Sequence, residues 1–388
     1  MSDLQLLFLV LAALYGAECL CWLRRGSVAF TTWLGRSWSV RHPGTLAGNQ
    51  SGGFILAAPL PPLGTVLIAH QIPLSLSPTG VLAFVATNVH PGWRPPQSGG
   101  FVRWENLGTV RVRGKKLLIN GERFLVAATP SFARHLGAEL QRLAKLTPPE
   151  REIAVAGMLR ATIDRQALAA RLRDFQTRSA RVRWLGNALF LYLLVIAPGL
   201  IWHFGLGRTW PGLLLGLLTL TIATAIFFGR AHRALYPAAD EERFTQRLTI
   251  ALAPSSALRA HDLLSRPLVE CFHPLVLAKQ LLPNNEFRTF ARRVLLDLRH
   301  PARPCVPSET PEVIATEAYA RHALRTATEE FLNQQGLAPD ELGSPPTPTD
   351  AACRSFCPRC GTQFTLPHAV CGDCGGLAAE EFQRGAGH

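Results

Sequence analysis

The sequence predicts an α+β multi-pass membrane protein. Its expected parts are an N-terminal anchor, a small β-meander or roll closed by a helix, a transmembrane helical hairpin, a helical region and a cysteine-bearing C-terminal module. Three observations predict this. Of 388 residues, 48% are hydrophobic and only 17% are charged, proportions that fit membrane helices combined with folded aqueous domains. Three apolar runs approach the length that crosses a ~30 Å hydrocarbon core. Near the C-terminus, Cys357, Cys360, Cys371 and Cys374 form two Cys-x-x-Cys pairs.

The first apolar run, Leu4 to Trp22, is interrupted by Gln5, Gly16 and Glu18. No positive charge precedes it, and Arg24 and Arg25 follow it, the reverse of the charge order in a secretory signal. Residues 1–25 are therefore expected to be a retained anchor with its N-terminus outside. Glu18 lies close enough to Arg24 to pair or snorkel. The second and third runs, Leu185–Phe204 and Trp210–Gly229, are separated only by Gly205–Thr209. A connection that short makes residues 185–229 an antiparallel hairpin, and Trp184, Trp202 and Trp210 suit the membrane–water interface. Pro198-Gly199 should kink the second span.

Arginine sets the expected orientation. The net charge is +13, and lysine occurs only at Lys115, Lys116, Lys145 and Lys279. Arg178, Arg181 and Arg183 precede the hairpin, Arg230 and Arg233 follow it, and Arg208 alone lies in the connection. The positive-inside rule then puts the mouth and the C-terminus in the cytoplasm. With its arginine-, alanine- and leucine-rich composition, the chain reads as a protein of a bacterial inner (plasma) membrane.

Residues 26–147 read as a cytoplasmic β-rich domain. Short strands are expected at Gly53–Ala58, Thr65–Ala69 and Val81–Val85, then at Phe101–Trp104, Thr109–Arg113, Lys116–Ile119 and Arg123–Ala127. Asn120-Gly121 is a two-residue hairpin turn, because both residues accept positive φ. Thr129 and Pro130 then start a helix whose apolar stripe is Phe132, Leu136, Leu140 and Leu143. A meander that opens at Trp104-Glu-Asn-Leu-Gly108 and ends in one amphipathic helix resembles the second half of bacterial pleckstrin-homology-like domains. That resemblance implies a module binding lipid or protein, and no enzyme.

Residues 148–184 form a basic helical stalk, in which Arg171, Arg173, Arg178, Arg181 and Arg183 are candidates to meet lipid headgroups or a partner. Residues 230–336 read as a cytoplasmic helical region. Its clearest helices are Asn285–Arg299, which carries Phe287, Phe290, Ala291, Val294 and Leu298, and one that starts at Thr310-Pro311 and stops at Gly336. Residues 337–352, with Ser344-Pro-Pro-Thr-Pro-Thr349, are expected to be a flexible linker.

In the last segment, residues 353–388, the paired cysteines satisfy the needs of a tetrahedral structural metal site, two thiolates per short loop. Glycine follows each pair, at Gly361 and Gly375. Cys357–Gly375 resembles a zinc ribbon, and four protein ligands leave no open coordination position, so the Zn2+ is expected to be structural. Cys353, four residues upstream, could substitute for one of these ligands but is expected to stay outside the set, and His368 is expected to pack or face solvent. Metal-binding thiolates must stay reduced, which again points to the cytoplasm. Arg354, Arg359 and Arg384 are offset by Asp373, Glu380 and Glu381, a balance that does not advertise nucleic acid.

No phosphate loop, nucleophile elbow or His-Glu-x-x-His signature occurs. Glu270-Cys271-Phe272-His273 brings a thiol and an imidazole close in sequence without the activation that a nucleophile needs. The glycine-rich stretch Asn49–Gly53 reads as a loop. The expected function is that of a membrane-anchored interaction or scaffold protein, with membrane lipids and another protein as partners. The alternative is a membrane-anchored nucleic-acid-binding or regulatory protein.

Overall fold

The computed structural model of the protein describes residues 2–22, 27–33, 36–41, 66–70, 74–83, 100–127, 129–237, 239–265, 267–268, 272–300, 310–374 and 376–382. The expected strand Gly53–Ala58, the loop Asn49–Gly53, Arg24, Arg25, Cys271, Cys305 and the Glu18 side chain lie outside what is described.

The chain opens with α1 (Asp3–Trp22), followed by the antiparallel strands β1 (Ser27–Trp33), β2 (Arg36–Arg41) and β3 (Val66–His70), ordered β2-β1-β3. A three-stranded meander follows, β4 (Leu74–Leu76), β5 (Gly80–Ala83) and β6 (Phe101–Arg103), and then a second, β7 (Val110–Arg113), β8 (Lys116–Ile119) and β9 (Glu122–Val126). Asn120 and Gly121 take φ of 54° and 87°, the left-handed pair that a two-residue turn requires. The Asn120 Oδ1 also accepts from the Thr109 amide at 3.1 Å, which ties the turn to the strand beside it.

Thr129 caps α2 (Pro130–Ala144) by accepting from the Phe132 amide at 3.1 Å. The stripe Phe132, Leu136, Leu140 and Leu143 is buried against Leu76, Val81, Leu117, Ile119 and Phe124. Arg151, in α3 (Pro148–Ala161), closes this core. Its guanidinium donates to the carbonyls of Leu143, Pro78 and Leu146 at 2.9, 3.0 and 2.7 Å and lies over the Trp104 ring. A cation with its donors satisfied in this way is tolerated in an apolar setting.

The stalk and the second apolar run form one continuous helix, Arg165–Phe204. It comprises α4 (Arg165–Leu191), a single π turn at Tyr192–Ile196, and α5 (Ala197–Phe204). The π turn ends two residues before Pro198, whose ring has no N–H to give the preceding turn. Gly205, at φ 77°, makes the reversal into α6 (Leu206–Leu235). The hairpin closes tightly. The Tyr192 hydroxyl donates to the Leu213 carbonyl at 2.6 Å, and a Cβ at Gly216 would lie 2.7 Å from that hydroxyl.

A helical body follows: α7 (Asp240–Leu252), α8 (Pro254–Leu258), α9 (Ala260–Ser265), α10 (Pro274–Leu281), α11 (Asn284–Arg299) and α12 (Pro311–Gln334). Its core joins Leu168, Leu172, Phe175, Val182 and Phe228 to Leu264, Leu275, Phe287, Phe290 and Phe331. The sheet β2-β1-β3 lies against α9 and α10, while α12 reaches β4, β5 and α3. Between α12 and the β core, Ser77 and Thr316 share a buried hydrogen bond of 3.0 Å and Arg103 pairs with Glu312 at 2.6 Å. Residues 337–352, expected to be a flexible linker, carry α13 (Pro339–Leu342) and accept from Arg292 through the Leu342 and Ser344 carbonyls at 3.0 and 2.8 Å.

Two features of this body yield predictions. Arg259 and Asp262 form a buried ion pair of 2.7 Å. Asp262→Ala strands the guanidinium and should destabilise by about 3–5 kcal/mol, whereas Arg259→Met with Asp262→Leu should cost far less. Thermal melts of the purified protein measure both. His261 bonds Ser179 at 2.9 Å, and His273 accepts from the Leu275 amide at 3.1 Å to cap α10. Burial pushes both rings down to about 4, with Arg183 adding to the effect at His261. Their contribution is whole above pH ~6.5, where the unfolded chain is also neutral, and is lost as pH falls toward 4. Both residues are half-buried, so the loss should be about 1–3 kcal/mol in total. His273→Asn should retain the cap and remove part of that acid sensitivity.

Candidate metal centre

The C-terminal module is built from strands of two residues each, too short to be stable by pairing alone. Strands β10 (Ser355–Phe356), β11 (Gln363–Phe364) and β14 (Glu380–Glu381) form a sheet ordered β11-β10-β14, and β12 (Val370–Cys371) pairs with β13 (Leu377–Ala378). Each cysteine pair sits on a tight turn. The Gly361 amide donates to the Cys357 carbonyl at 2.8 Å, and the Cys357 amide donates to the Thr362 carbonyl at 2.8 Å. In the second turn the Gly376 amide donates to the Cys371 carbonyl at 3.0 Å. Gly361 and Gly376 have φ of 77° and 84°, so each turn reverses through the left-handed region that glycine enters at no steric cost. The second of these is Gly376, one residue beyond the expected Gly375, which lies outside the described residues.

These turns bring the Sγ atoms of Cys357, Cys360, Cys371 and Cys374 within 4.8 Å of one another. A tetrahedral ion with sulfur ligands at about 2.3 Å sets its sulfurs about 3.8 Å apart, and Cys360 Sγ lies 3.6 Å from Cys371 Sγ. The donor set therefore fits a four-thiolate metal ion and is compatible with a zinc ribbon. Cys357, Cys371 and Cys374 are buried and Cys360 is half-buried, so solvent reaches the cluster from one side. Cys353 lies outside it, with its sulfur 3.8 Å from the Thr349 hydroxyl. His368 is exposed and sits 3.4 Å from Glu381.

Electrostatics within the cluster favour a bound cation. Hydrogen bonds from Cys357 and then Thr362 hold the Cys360 thiol down, at about 4. The hydrogen bond to Cys360, with burial, pushes the Cys357 thiol up, and burial raises Cys374 to about 12. Four thiols this close cannot all ionise unless positive charge enters between them, and a divalent ion supplies it while displacing protons.

The module is attached to the helical body by a contact that the sequence did not single out. Arg359, inside the first Cys-x-x-Cys, donates from Nε to Asp297 Oδ1 of α11 at 2.7 Å, with both side chains about nine-tenths covered. The linker adds to this attachment, since Gln363 donates to the Thr347 carbonyl and accepts from the Thr349 amide, each at 2.8 Å. Nothing in the local sequence marks Asp297 as different from any other helix carboxylate.

The stalk arginines are all exposed on α4. Arg171 lies over the Phe272 ring, Arg181 over Phe227, and Arg178 pairs with Asp174 at 2.6 Å. Arg183 approaches His261, and Arg173 shares the exposed surface.

Two outcomes are expected. The purified protein should carry about one metal ion per chain, and Cys360→Ser or Cys371→Ser should abolish stoichiometric binding, as read by elemental analysis. Asp297→Ala should leave metal content unchanged while increasing proteolytic cleavage between residues 337 and 352, because it removes a nearly buried ion-pair partner. No protein-family model, curated protein or solved structure matches this chain.

Proposed function

We propose that this protein is a membrane-anchored interaction or scaffold protein, with a hairpin in the bilayer and a structural zinc ribbon as a docking surface. The observation that carries the membrane part is the surface of the hairpin. Two helices are long and apolar enough to cross a bilayer, and their exposed side chains include Leu191, Val195, Leu200, Leu214, Leu215, Leu218, Ile222 and Ile226. Trp184 and Trp202 are 69% and 78% exposed. They lie eighteen residues apart on one helix, or about 27 Å, a separation that matches the two edges of a hydrocarbon core. On this reading α1 adds a further span, the arginine-rich mouth faces the cytoplasm of a bacterial inner membrane, and Arg171, Arg173, Arg178, Arg181 and Arg183 meet anionic headgroups or a partner.

The ribbon supports docking to protein more than to nucleic acid. Its Arg359 is already engaged by Asp297, and Arg354 is outnumbered by Asp373, Glu380 and Glu381. Leu366 and Val370 are 67% and 60% exposed on the ribbon, apolar side chains of the kind found at interface centres. Two meanders closed by α2 keep the pleckstrin-homology-like reading as a second candidate surface.

A photo-crosslinking residue placed at 366 or 370 in cells tests the proposal. Discrete crosslinked proteins that disappear in the Cys360→Ser background are expected, whereas crosslinks to nucleic acid alone would overturn it in favour of the nucleic-acid reading. Thiol probes applied after chelation should reach the ribbon in inverted membrane vesicles and fail to reach it in right-side-out ones. The opposite pattern would reverse the orientation.

A further inference from the structure

Helix α7 carries an exposed apolar face at the mouth of the hairpin. Phe244, Leu248 and Leu252 are spaced four residues apart and are 71%, 51% and 75% exposed. On its other side Ile250 is fully buried in the helical core. A helix with one face in the core and large apolar side chains on the other is not shaped for water alone.

The depth of that face can be read from its neighbour. After the short connection Tyr236–Ala239, α7 folds back along α6, and the Arg247 side chain lies so close to Gly229 that a Cβ there would sit 2.5 Å from Arg247 Cδ. Arg247 is therefore level with Gly229, at the mouth of the hairpin. Leu252 lies five residues further on, about 7.5 Å deeper, level with the turn of α6 that carries Thr224. The outward apolar belt of α6 extends to Ile222 and Ile226, so the α7 face continues that belt sideways at the same height.

Charge surrounds it on the outer side. Arg181 and Arg230 both stack on Phe227, at 5.6 and 5.5 Å, and Arg247 crosses Gly229 beside them. Exposed Trp184 lies on the same end of α4. Arginine stems laid over apolar surface, with their guanidinium groups at one level, match a layer of phosphate headgroups above acyl chains.

We infer that α7 is an interfacial membrane helix, with Leu248 and Leu252 in the acyl chains of the leaflet at the hairpin mouth, Arg247 among anionic headgroups and Phe244 at the level of those headgroups. This rests on the membrane-spanning reading of the hairpin and assigns to the bilayer a helix that sequence analysis put in the cytoplasm. The connection after Tyr236 then works as a re-entrant corner, and α8 emerges from the leaflet at Pro254. The helical body is held to the bilayer by more than its two spans.

The test uses the full-length protein in nanodiscs containing phosphatidylglycerol. A keto amino acid bearing a nitroxide is introduced singly at 215, 244, 248 or 252, which leaves the native cysteines untouched. At 252 and 248, collisions with oxygen should exceed those with a water-soluble nickel chelate several-fold, with depth increasing from 244 to 252. Nickel access at 248 and 252 while position 215 stays lipid-exposed would overturn the inference and leave the hairpin in the membrane. Shielding from both reagents would overturn it too, by showing a protein cover such as a second copy of the chain. Nickel access at 215 as well would sink the membrane-spanning reading itself.

Discussion

The rest of the structure depends on the inward seam of the unbroken helix Arg165–Phe204. Leu168, Leu172, Phe175, Ser179, Val182, Leu185, Gly186, Leu189 and Leu193 recur at three- and four-residue intervals along it, and nearly all are buried against the helical body or α6. One stripe therefore changes environment along its length without changing its geometry. Its lower half packs α9, α10 and Phe272, while its upper half packs α6. A helix broken between these two halves would need a connection whose freed backbone groups had to find other partners. Continuity removes that requirement and makes the hairpin a rigid extension of the body.

Helix α12 ties the remaining parts to this frame. It meets the β core through Thr316, Glu312 and Tyr319, and the helical core through Ala327, Phe331 and Leu332. Arg299 of α11 pairs with both Glu329 of α12 and Asp340 of α13, each at 3.0 Å. Two residues earlier on α11, Asp297 receives the ribbon. The β domain, the helical body and the metal module thus share a small group of supporting residues at the C-terminal end of α11, and movement in one must be accommodated by the others.

Local chemistry was legible in the sequence wherever the deciding interaction was local. Asn120-Gly121 gave its turn, Thr129 its cap and Gly336 the stop of α12, because each signal rests on backbone geometry within four residues. The cysteine cluster was legible for the same reason, each pair being defined by its own loop. The Arg359–Asp297 contact was not, since it joins residues 62 apart in sequence and depends on how two finished units meet. The same holds for residues 337–352: proline and threonine describe a chain with few internal bonds, and the bonds from Arg292 come from outside it. The exposed face of α7 was not legible, because its apolar residues number too few for a span and only packing beside α6 sets them apart.

The tight seat of Tyr192 against Gly216 has a consequence for the history of this sequence. The ring fills space that exists only because position 216 has no side chain, and its hydroxyl reaches the backbone of α6 through that gap. A larger residue at 216 needs a smaller one at 192, and a smaller residue at 192 leaves a hole that glycine cannot fill. Sequences descended from a common ancestor with this one should therefore change the two positions together or not at all.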